Sequence, residues 1–359
     1  MLVRACLMPV RFRLAVSTVH EGEEAMADGS GAKEANGVNA AKDAKDGAGW
    51  LDRLLALVDV DGRLDIRCDL GAGWSLDQAA KVTEAEDAGH HIPFHVLLDG
   101  EAVVDADGLS QAAMHAGDVL MLPAGGAHLL RDRDPASLQR PGEGTLLCGR
   151  FIVPAASSKL IRALLPPAMV VRSPGPGSRL TRLLALMREE ADAPGEGGAA
   201  LLRHLSGALF AVALRAAMGG DLPTTVDAPG VLALGAHPRL AALVVDILGD
   251  LAHDWTLDSM AEHAALSRSS LIRSFQAAAG VSPAEFLNQV RMTEAARRLR
   301  AGRESPAAIG EAVGYASEAA FQRAFKREIG VTPAAWRDGV ELLPSPPDNA
   351  ALPVRKRLG

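Results

Sequence analysis

The chain has 359 residues, 48% of them hydrophobic, which is enough for two or three domains with a packed core. A net charge of −7 excludes a wholly basic, histone-like binder, but not a nucleic-acid reader whose positive charge sits on one face. Three cysteines, Cys6, Cys68 and Cys148, are too few for a disulfide-built secreted domain.

Residues 1–48 are rich in Ala, Gly, Asp, Glu and Lys without apolar periodicity, and are expected to form a disordered leader. Met26 within it is an alternative start. Arg11 and Arg13 interrupt the apolar N-terminus, which argues against a signal peptide. No apolar run is read as approaching the ~20 residues of a membrane span. A cytoplasmic protein without a membrane partner is expected.

From 49 to 175 the texture changes. Leu51, Leu54, Leu55 and Val58 suit a short amphipathic helix. Short apolar stretches (LDIRCDL, HVLLDGEAVV, DVLMLP, TLLCGRFIV) then alternate with turn signals such as Asp99-Gly100 and Asp107-Gly108, the pattern of a barrel or sandwich of short strands. Residues 176–222 hold two predicted helices, 179–192 and 199–218. Leu201, Leu205, Leu209 and Val212 form an apolar stripe that suits either core or a dimer contact. Residues 223–236 read as a linker, 237–340 as a wholly helical domain and 341–359 as a tail.

The helical domain repeats itself. Leu271, Phe275, Gly280, Val281, Pro283 and Phe286 match Phe321, Phe325, Gly330, Val331, Pro333 and Trp336 at a constant offset of fifty. In the first copy Thr256 is placed to cap a helix over 257–265 and Ser267 one over 268–279, which Gly280 ends. Ser282, Pro283 and Glu285 form a capping box for the next helix. In the second copy Ser305-Pro306 starts a helix, Gly314-Tyr315 turns the chain, Ser317 caps 318–329, Gly330 ends it and Thr332-Pro333 opens the last helix. Each second helix sets apolar residues opposite polar ones. The outward sets are Arg268, Ser269, Ser270, Arg273 and Gln276, and Glu318, Gln322, Arg323 and Lys326. Such a helix suits a major groove.

Gly314-Tyr315-Ala316-Ser317, Phe321, Arg323, Phe325-Lys326, Gly330, Thr332-Pro333 and Trp336-Arg337 closely resemble the signature of AraC/XylS-type transcription regulators, over about 237–338. The resemblance implies two helix-turn-helix units joined by a linker helix near 284–301, ~27 Å long, which sets two recognition helices in adjacent major grooves. It places base-facing sites on Ser269, Ile272 and Arg273, and on Glu318, Ala319, Ala320 and Arg323. Ala319 and Ala320 have no side-chain hydrogen bond to offer, so the second unit is expected to read little sequence. Double-stranded DNA is the implied partner, with a homodimer and RNA polymerase as further partners of an activator.

Gly117, the strand DVLML, the turn at Pro123–Gly125 and His128 resemble the second motif of cupin barrels. His90, His91 and His95 stand at the first motif, but Pro93 occupies a usual ligand position. The fold expected is α+β: an N-terminal cupin β-barrel, then helices, then an all-α double helix-turn-helix domain. His91, His95 and His128, with Asp99, are the candidate metal set, and the incomplete motif argues against it. A cupin metalloenzyme fused to a DNA-binding domain is the competing reading. A third, an alkyl-acceptor repair protein, lacks its acceptor-cysteine motif. No catalytic residue, metal or cofactor is expected.

Cys68 lies near the start of the cupin segment and Cys148 near its end, and first and last strands of a barrel can be neighbours. Their setting, with Trp74 after Cys68 and Gly149 after Cys148, resembles AraC-type cupin regulators that respond to reactive chlorine. That resemblance implies oxidation of sensor-domain cysteines as the switch, so Cys68, Cys148, His95 and His128 are the candidate redox or effector residues. Arg67 and Arg150 are expected to favour a thiolate, against Asp69. The alternatives are a small aromatic or other effector in the barrel, and cysteines that serve only as small buried hydrophobes.

Overall fold

The computed structural model describes residues 49–70, 73–79, 89–133, 144–218 and 231–339. The expected leader, with Cys6 and Met26, and the tail at 341–359 lie outside the described residues.

Helix α1 (Trp50–Val58) buries Leu51, Leu54, Leu57 and Val58; Leu57 rather than Leu55 completes its inner face. Among the described residues nine strands follow, in two antiparallel sheets. One has the order β1 (Asp61–Leu70), β8 (Gly144–Val153), β3 (His90–Asp99), β6 (Val119–Met121), β9 (Met169–Val171). The other runs β2 (Ser75–Gln78), β7 (His128–Asp132), β4 (Glu101–Ala106), β5 (Leu109–His115). Asp107-Gly108 closes the β4–β5 hairpin, while Asp99-Gly100 carries the chain from one sheet to the other; Gly100 and Gly108 take φ of 92° and 77°, where a Cβ is strained.

The first sheet is buried on both faces, which explains why its central strands are apolar almost throughout. In β3, Ile92, Phe94 and Val96 face the helices, while Leu97 and His95 face the second sheet. In β8, Leu147, Phe151 and Val153 take the helix side and Leu146 and Cys148 the interior. The interior is filled by Leu97, Met114, Leu120, Leu130 and Leu146.

A 3₁₀ turn (Ala155–Ser157) runs straight on from β8 into α2 (Ser158–Leu164). Helices α3 (Arg179–Asp192) and α4 (Gly198–Met218) then return to the barrel, and α4 lies across β1 and β8. A Cβ at Gly62 would stand 2.5 Å from the Gly207 nitrogen, so only glycine permits this approach. The buried face of α4 is Ser206, Leu209, Phe210, Ala213 and Leu214. The expected Leu stripe is thus split: Leu209 is buried, Leu205 and Val212 are half-buried, and Leu201 is exposed. Helix α4 also corrects the expectation that no apolar run approaches a membrane span, since its length and composition would allow one. Leu209 and Phe210 are instead spent on the protein core.

Helix α5 (Val231–Ala236) stands where the end of a linker was expected. The helical domain continues with α6 (Pro238–Gly249), α7 (Leu257–His263), α8 (Arg268–Ala279), α9 (Pro283–Ala301), α10 (Pro306–Ala312), α11 (Glu318–Ile329) and α12 (Pro333–Arg337). The first unit does not have a core to itself. Trp255, Met260, Leu271, Phe275 and Phe286 belong to one apolar cluster with Phe94, Phe151 and Phe210 of the N-terminal domain. The second unit has its own, of Met292, Leu299, Ile309, Phe321, Phe325 and Trp336.

Candidate functional sites

The fifty-residue repeat is a repeat of structure. Ser267 and Ser317 each accept from a backbone N–H in the first turn of α8 and α11, and Gly280 and Gly330 end those helices at φ of 73° and 92°. Thr256 and Ser282 form capping boxes, with Ser259 and Glu285. The same ring pair recurs at the same offset: Phe275 on Phe286 at 5.4 Å, and Phe325 on Trp336 at 6.3 Å. These contacts fix the inner faces of α8 and α11, and so decide which residues face out.

On α8, Arg268, Ser269, Ile272, Arg273 and Gln276 are exposed and Ser270 is half-buried. Ile272 is 40% exposed, unusual for a large apolar side chain and suited to a thymine methyl. Arg268 is paired with Asp258 of α7, Ser270 accepts a hydrogen bond from Ser267, and Gln276 donates to the Gly280 carbonyl at 2.8 Å. On α11, Glu318, Ala319, Gln322, Arg323 and Lys326 are exposed and Ala320 is half-buried; Gln322 donates to Glu318.

Linker helix α9 connects the two units and touches the N-terminal domain. Arg291 donates to the carbonyls of Leu251 and His253 and lies 5.9 Å from the Tyr315 ring centre, so it holds both units at once. Tyr315 donates to Asn288, which donates to Glu328 at the end of α11. Glu328 in turn meets Lys159 of α2 at 3.0 Å, and Thr293 of α9 donates to the Ala156 carbonyl in the 3₁₀ turn at 3.3 Å. Sequence reasoning missed this junction, because an exposed lysine after a strand carries no signal of its own.

Inside the cupin the candidate sensor residues meet. Strands β1 and β8 pair directly, Cys68 opposite Leu146 and Ile66 opposite Cys148, so the two cysteines are diagonal neighbours on the inner face. They are not disulfide-bonded. His95 of β3 has Nδ1 3.0 Å from Cys148 Sγ. Its Nε2 is 2.8 Å from His128 Nε2, across the interior on β7. His128 Nδ1 donates to the Gly126 carbonyl at 3.2 Å. A hydrogen bond from Cys148 lowers the Cys68 thiol from 9.0 to about 7, against burial and the Asp69 charge. The expected help from arginine is corrected: Arg67 pairs with Asp69 and Asp192, and Arg150 with Asp65. Arg67 also follows Ile66 and precedes Cys68, so alternation turns it to the other face.

The metal set is not assembled as the sequence suggested. Asp99 pairs with Arg188 of α3, and the two ring nitrogens of His95 face different partners, Cys148 and His128. Among the described residues no three His, Cys, Asp or Glu groups are placed to hold one ion. A cavity of about 740 Å³ lies outside the barrel interior, between the β5–β6 turn and α3, lined by Leu98, His115, Asp118, Arg172, Leu184 and Arg188. His90, also at the first motif, is buried elsewhere: Nε2 donates to the Pro123 carbonyl at 2.6 Å and Nδ1 accepts from Arg162.

A two-sheet cupin followed by two matched helix-turn-helix units, themselves joined by a linker helix, defines a one-chain transcription regulator. The family model for the cupin matches residues 50–219, through α4, and that for the helix-turn-helix domain matches 260–339. The chain is 30% identical over 311 residues to an uncharacterized HTH-type transcriptional regulator of Haemophilus influenzae, covering 82% of this chain and 99% of that one. It is 28% identical over 297 residues to the RCS-specific HTH-type transcriptional activator RclR of Escherichia coli, covering 82% and 98%. It is 27% identical over 305 residues to the HTH-type transcriptional regulator MtrA of Neisseria gonorrhoeae, covering 80% and 97%. The chain belongs to the AraC-type DNA-binding transcription regulators with an N-terminal cupin domain.

Proposed function

We propose that this regulator is a cytoplasmic, homodimeric transcription activator switched by oxidation of Cys68 and Cys148. The cupin acts as a sensor rather than an enzyme and uses no cofactor. The observation that carries the reading is the row Cys68, Cys148, His95, His128: two thiols on paired strands, one with a lowered pKa, beside two imidazoles. Thiolate is the form that an electrophilic oxidant attacks, and a nearby second thiol completes a disulfide. The similarity to an RCS-specific activator along 98% of that protein supports reactive chlorine as the oxidant class.

On DNA, α8 and α11 each enter a major groove, in adjacent turns of the duplex. Ser269, Ile272 and Arg273 make the base contacts of the first unit, and Arg323 and Lys326 anchor the second, beside Ala319 and Ala320. Arg268 and Gln276, committed to Asp258 and Gly280, position the helix instead. Dimerisation matches paired half-sites, and the exposed Leu186 and Leu201 of α3 and α4 suit a second copy. RNA polymerase is the partner through which an activator acts. Oxidation reaches the DNA-binding domain along β8, which runs into the 3₁₀ turn and α2 against α9.

The test treats reduced protein with hypochlorite, maps disulfides by mass spectrometry and measures operator binding in parallel. A Cys68–Cys148 bridge with altered operator binding is expected. A reporter strain in which Cys68→Ser and Cys148→Ser proteins keep the full oxidant response would refute the thiol switch.

A further inference from the structure

The two thiols of the sensor are not equivalent. Cys148 is 6% exposed, whereas Cys68 is half-buried at the rim of the same cluster. An oxidant arriving from solvent therefore meets Cys68 first. The second step needs Cys148 as a thiolate, yet its enclosed site offers little water to take the proton. The imidazole of His95 stands there instead, Nδ1 to Sγ at 3.0 Å.

The hydrogen bonds set the direction of proton flow. The Gly126 carbonyl only accepts, so the His128 Nδ1 facing it carries a hydrogen. In the neutral ring His128 Nε2 is then an acceptor, and the hydrogen between the two rings belongs to His95 Nε2. That leaves His95 Nδ1 as an acceptor facing the Cys148 sulfur. The Cys148 hydrogen, held by the Cys68 thiolate at rest, turns to it once Cys68 is oxidised and no longer accepts. A proton taken at Nδ1 can be matched by one passed from Nε2 to His128, so charge moves away from the sulfur.

We infer that His95 is the general base that deprotonates Cys148 as the resolving thiol, with His128 as the next proton acceptor and Cys68 as the thiol that the oxidant attacks. This rests on the thiol switch proposed above. The chemistry balances with hypochlorous acid as oxidant. The Cys68 thiolate takes the chlorine, forming an S–Cl bond and releasing hydroxide. His95 accepts the Cys148 proton, the Cys148 sulfur attacks the Cys68 sulfur, the S–S bond forms and chloride leaves. The imidazolium then neutralises the hydroxide to water. Sulfur is oxidised by two electrons in total and chlorine reduced by two. Closing the bridge also moves backbone: diagonal cross-strand neighbours lie about 7–8 Å apart at Cα, more than the ~4.4–6.8 Å of a disulfide. The β1–β8 ladder already slips register between Leu64 and Ile66, next to the cluster.

The experiment follows the full-length reduced protein by quenched flow with limiting hypochlorite, trapping unbridged oxidised thiol with dimedone and counting bridges by mass spectrometry. His95→Asn should leave the rate of Cys68 oxidation unchanged and slow bridge formation on the order of 100-fold, the size of a lost general base. His128→Asn should slow bridging less. In Cys148→Ser the adduct should collect on Cys68. Equal bridging rates in wild type and His95→Asn would overturn the role of His95 and leave the thiol switch standing. So would equal slowing of both steps, which marks a structural role only. An adduct that forms on Cys148 of Cys68→Ser at the wild-type rate would overturn the order of the thiols. A wild-type protein that forms no Cys68–Cys148 bridge would sink the switch itself. If His95→Asn does not fold by near-UV circular dichroism, the wild type decides the matter in D₂O. Bridging should slow there while Cys68 oxidation does not, and an unchanged bridging rate would refute the base.

Discussion

Lys159 of the cupin domain donates from Nζ to both the backbone carbonyl and the carboxylate of Glu328, at 2.9 and 3.0 Å, at the C-terminal end of the second recognition helix. The ammonium sits where a helix C-terminus exposes carbonyls and partial negative charge. The same carboxylate accepts from Asn288 of the linker helix, so one residue gathers cupin domain, linker and second helix-turn-helix unit. Lys159 is 59% exposed, and an exposed pair of this kind contributes about 0–1 kcal/mol. Lys159→Ala should therefore barely move the melting temperature. It should narrow the ratio of operator affinities between oxidised and reduced protein, measured by fluorescence anisotropy. An unchanged ratio would show that this contact carries no signal.

The thiol of Cys68 should titrate near pH 7, because Cys148 donates a hydrogen bond to it. Its alkylation rate by iodoacetamide should rise with pH through that value and level off above it. In Cys148→Ala the donor is gone, while burial and Asp69, both of which oppose ionisation, remain. The midpoint should move up towards the ordinary value. A midpoint that stays near 7 would assign the lowering to another group.

Arg273 and Arg323 hold equivalent outward positions on the two recognition helices, at the offset of fifty. Arg273→Ala should cost about 1–3 kcal/mol at the specific operator if the arginine makes a bidentate base contact. Arg323→Ala should weaken specific and random DNA alike, because its neighbours Ala319 and Ala320 read little, and it should reduce the salt slope by about one. Titrations of both variants against operator and scrambled duplex at several salt concentrations separate the two.

Burial, with the Arg162 charge, pushes His90 down from 6.5 to about 4, opposed by its bond to Pro123. The folded protein thus holds His90 neutral where an unfolded chain protonates it. Above about pH 6.5 the group exerts no pH dependence, and stability falls as pH drops from there to about 4, by about 3 kcal/mol in all. Urea titrations across this range should show a shallower fall for His90→Gln. Parallel curves for the two proteins would contradict the assignment.

Much of the DNA-binding domain was legible in the sequence, because its signals are local. Ser267, Gly280, Ser282, Ser317 and Gly330 act within one helical turn of themselves, and the repeat at fifty exposes the shared pattern of inner and outer faces. The short strands and the Asp107-Gly108 hairpin were readable for the same reason.

Other features depended on contacts between distant segments. Nothing local distinguishes Leu201 from Leu209 on α4; the close approach at Gly62 decides which one is buried. Asp99 looked like a candidate ligand until α3 brought Arg188 to it. The sequence by itself determined which residues are able to cap, turn, donate or ionise, since these are properties of side chains and their near neighbours. Only the tertiary structure decided that Cys68 and Cys148, eighty residues apart, share a ladder, and that β3 and β7 turn His95 and His128 towards each other. Strand pairing and sheet packing fix those distances, and both are set by burial summed over the whole core rather than by any single motif.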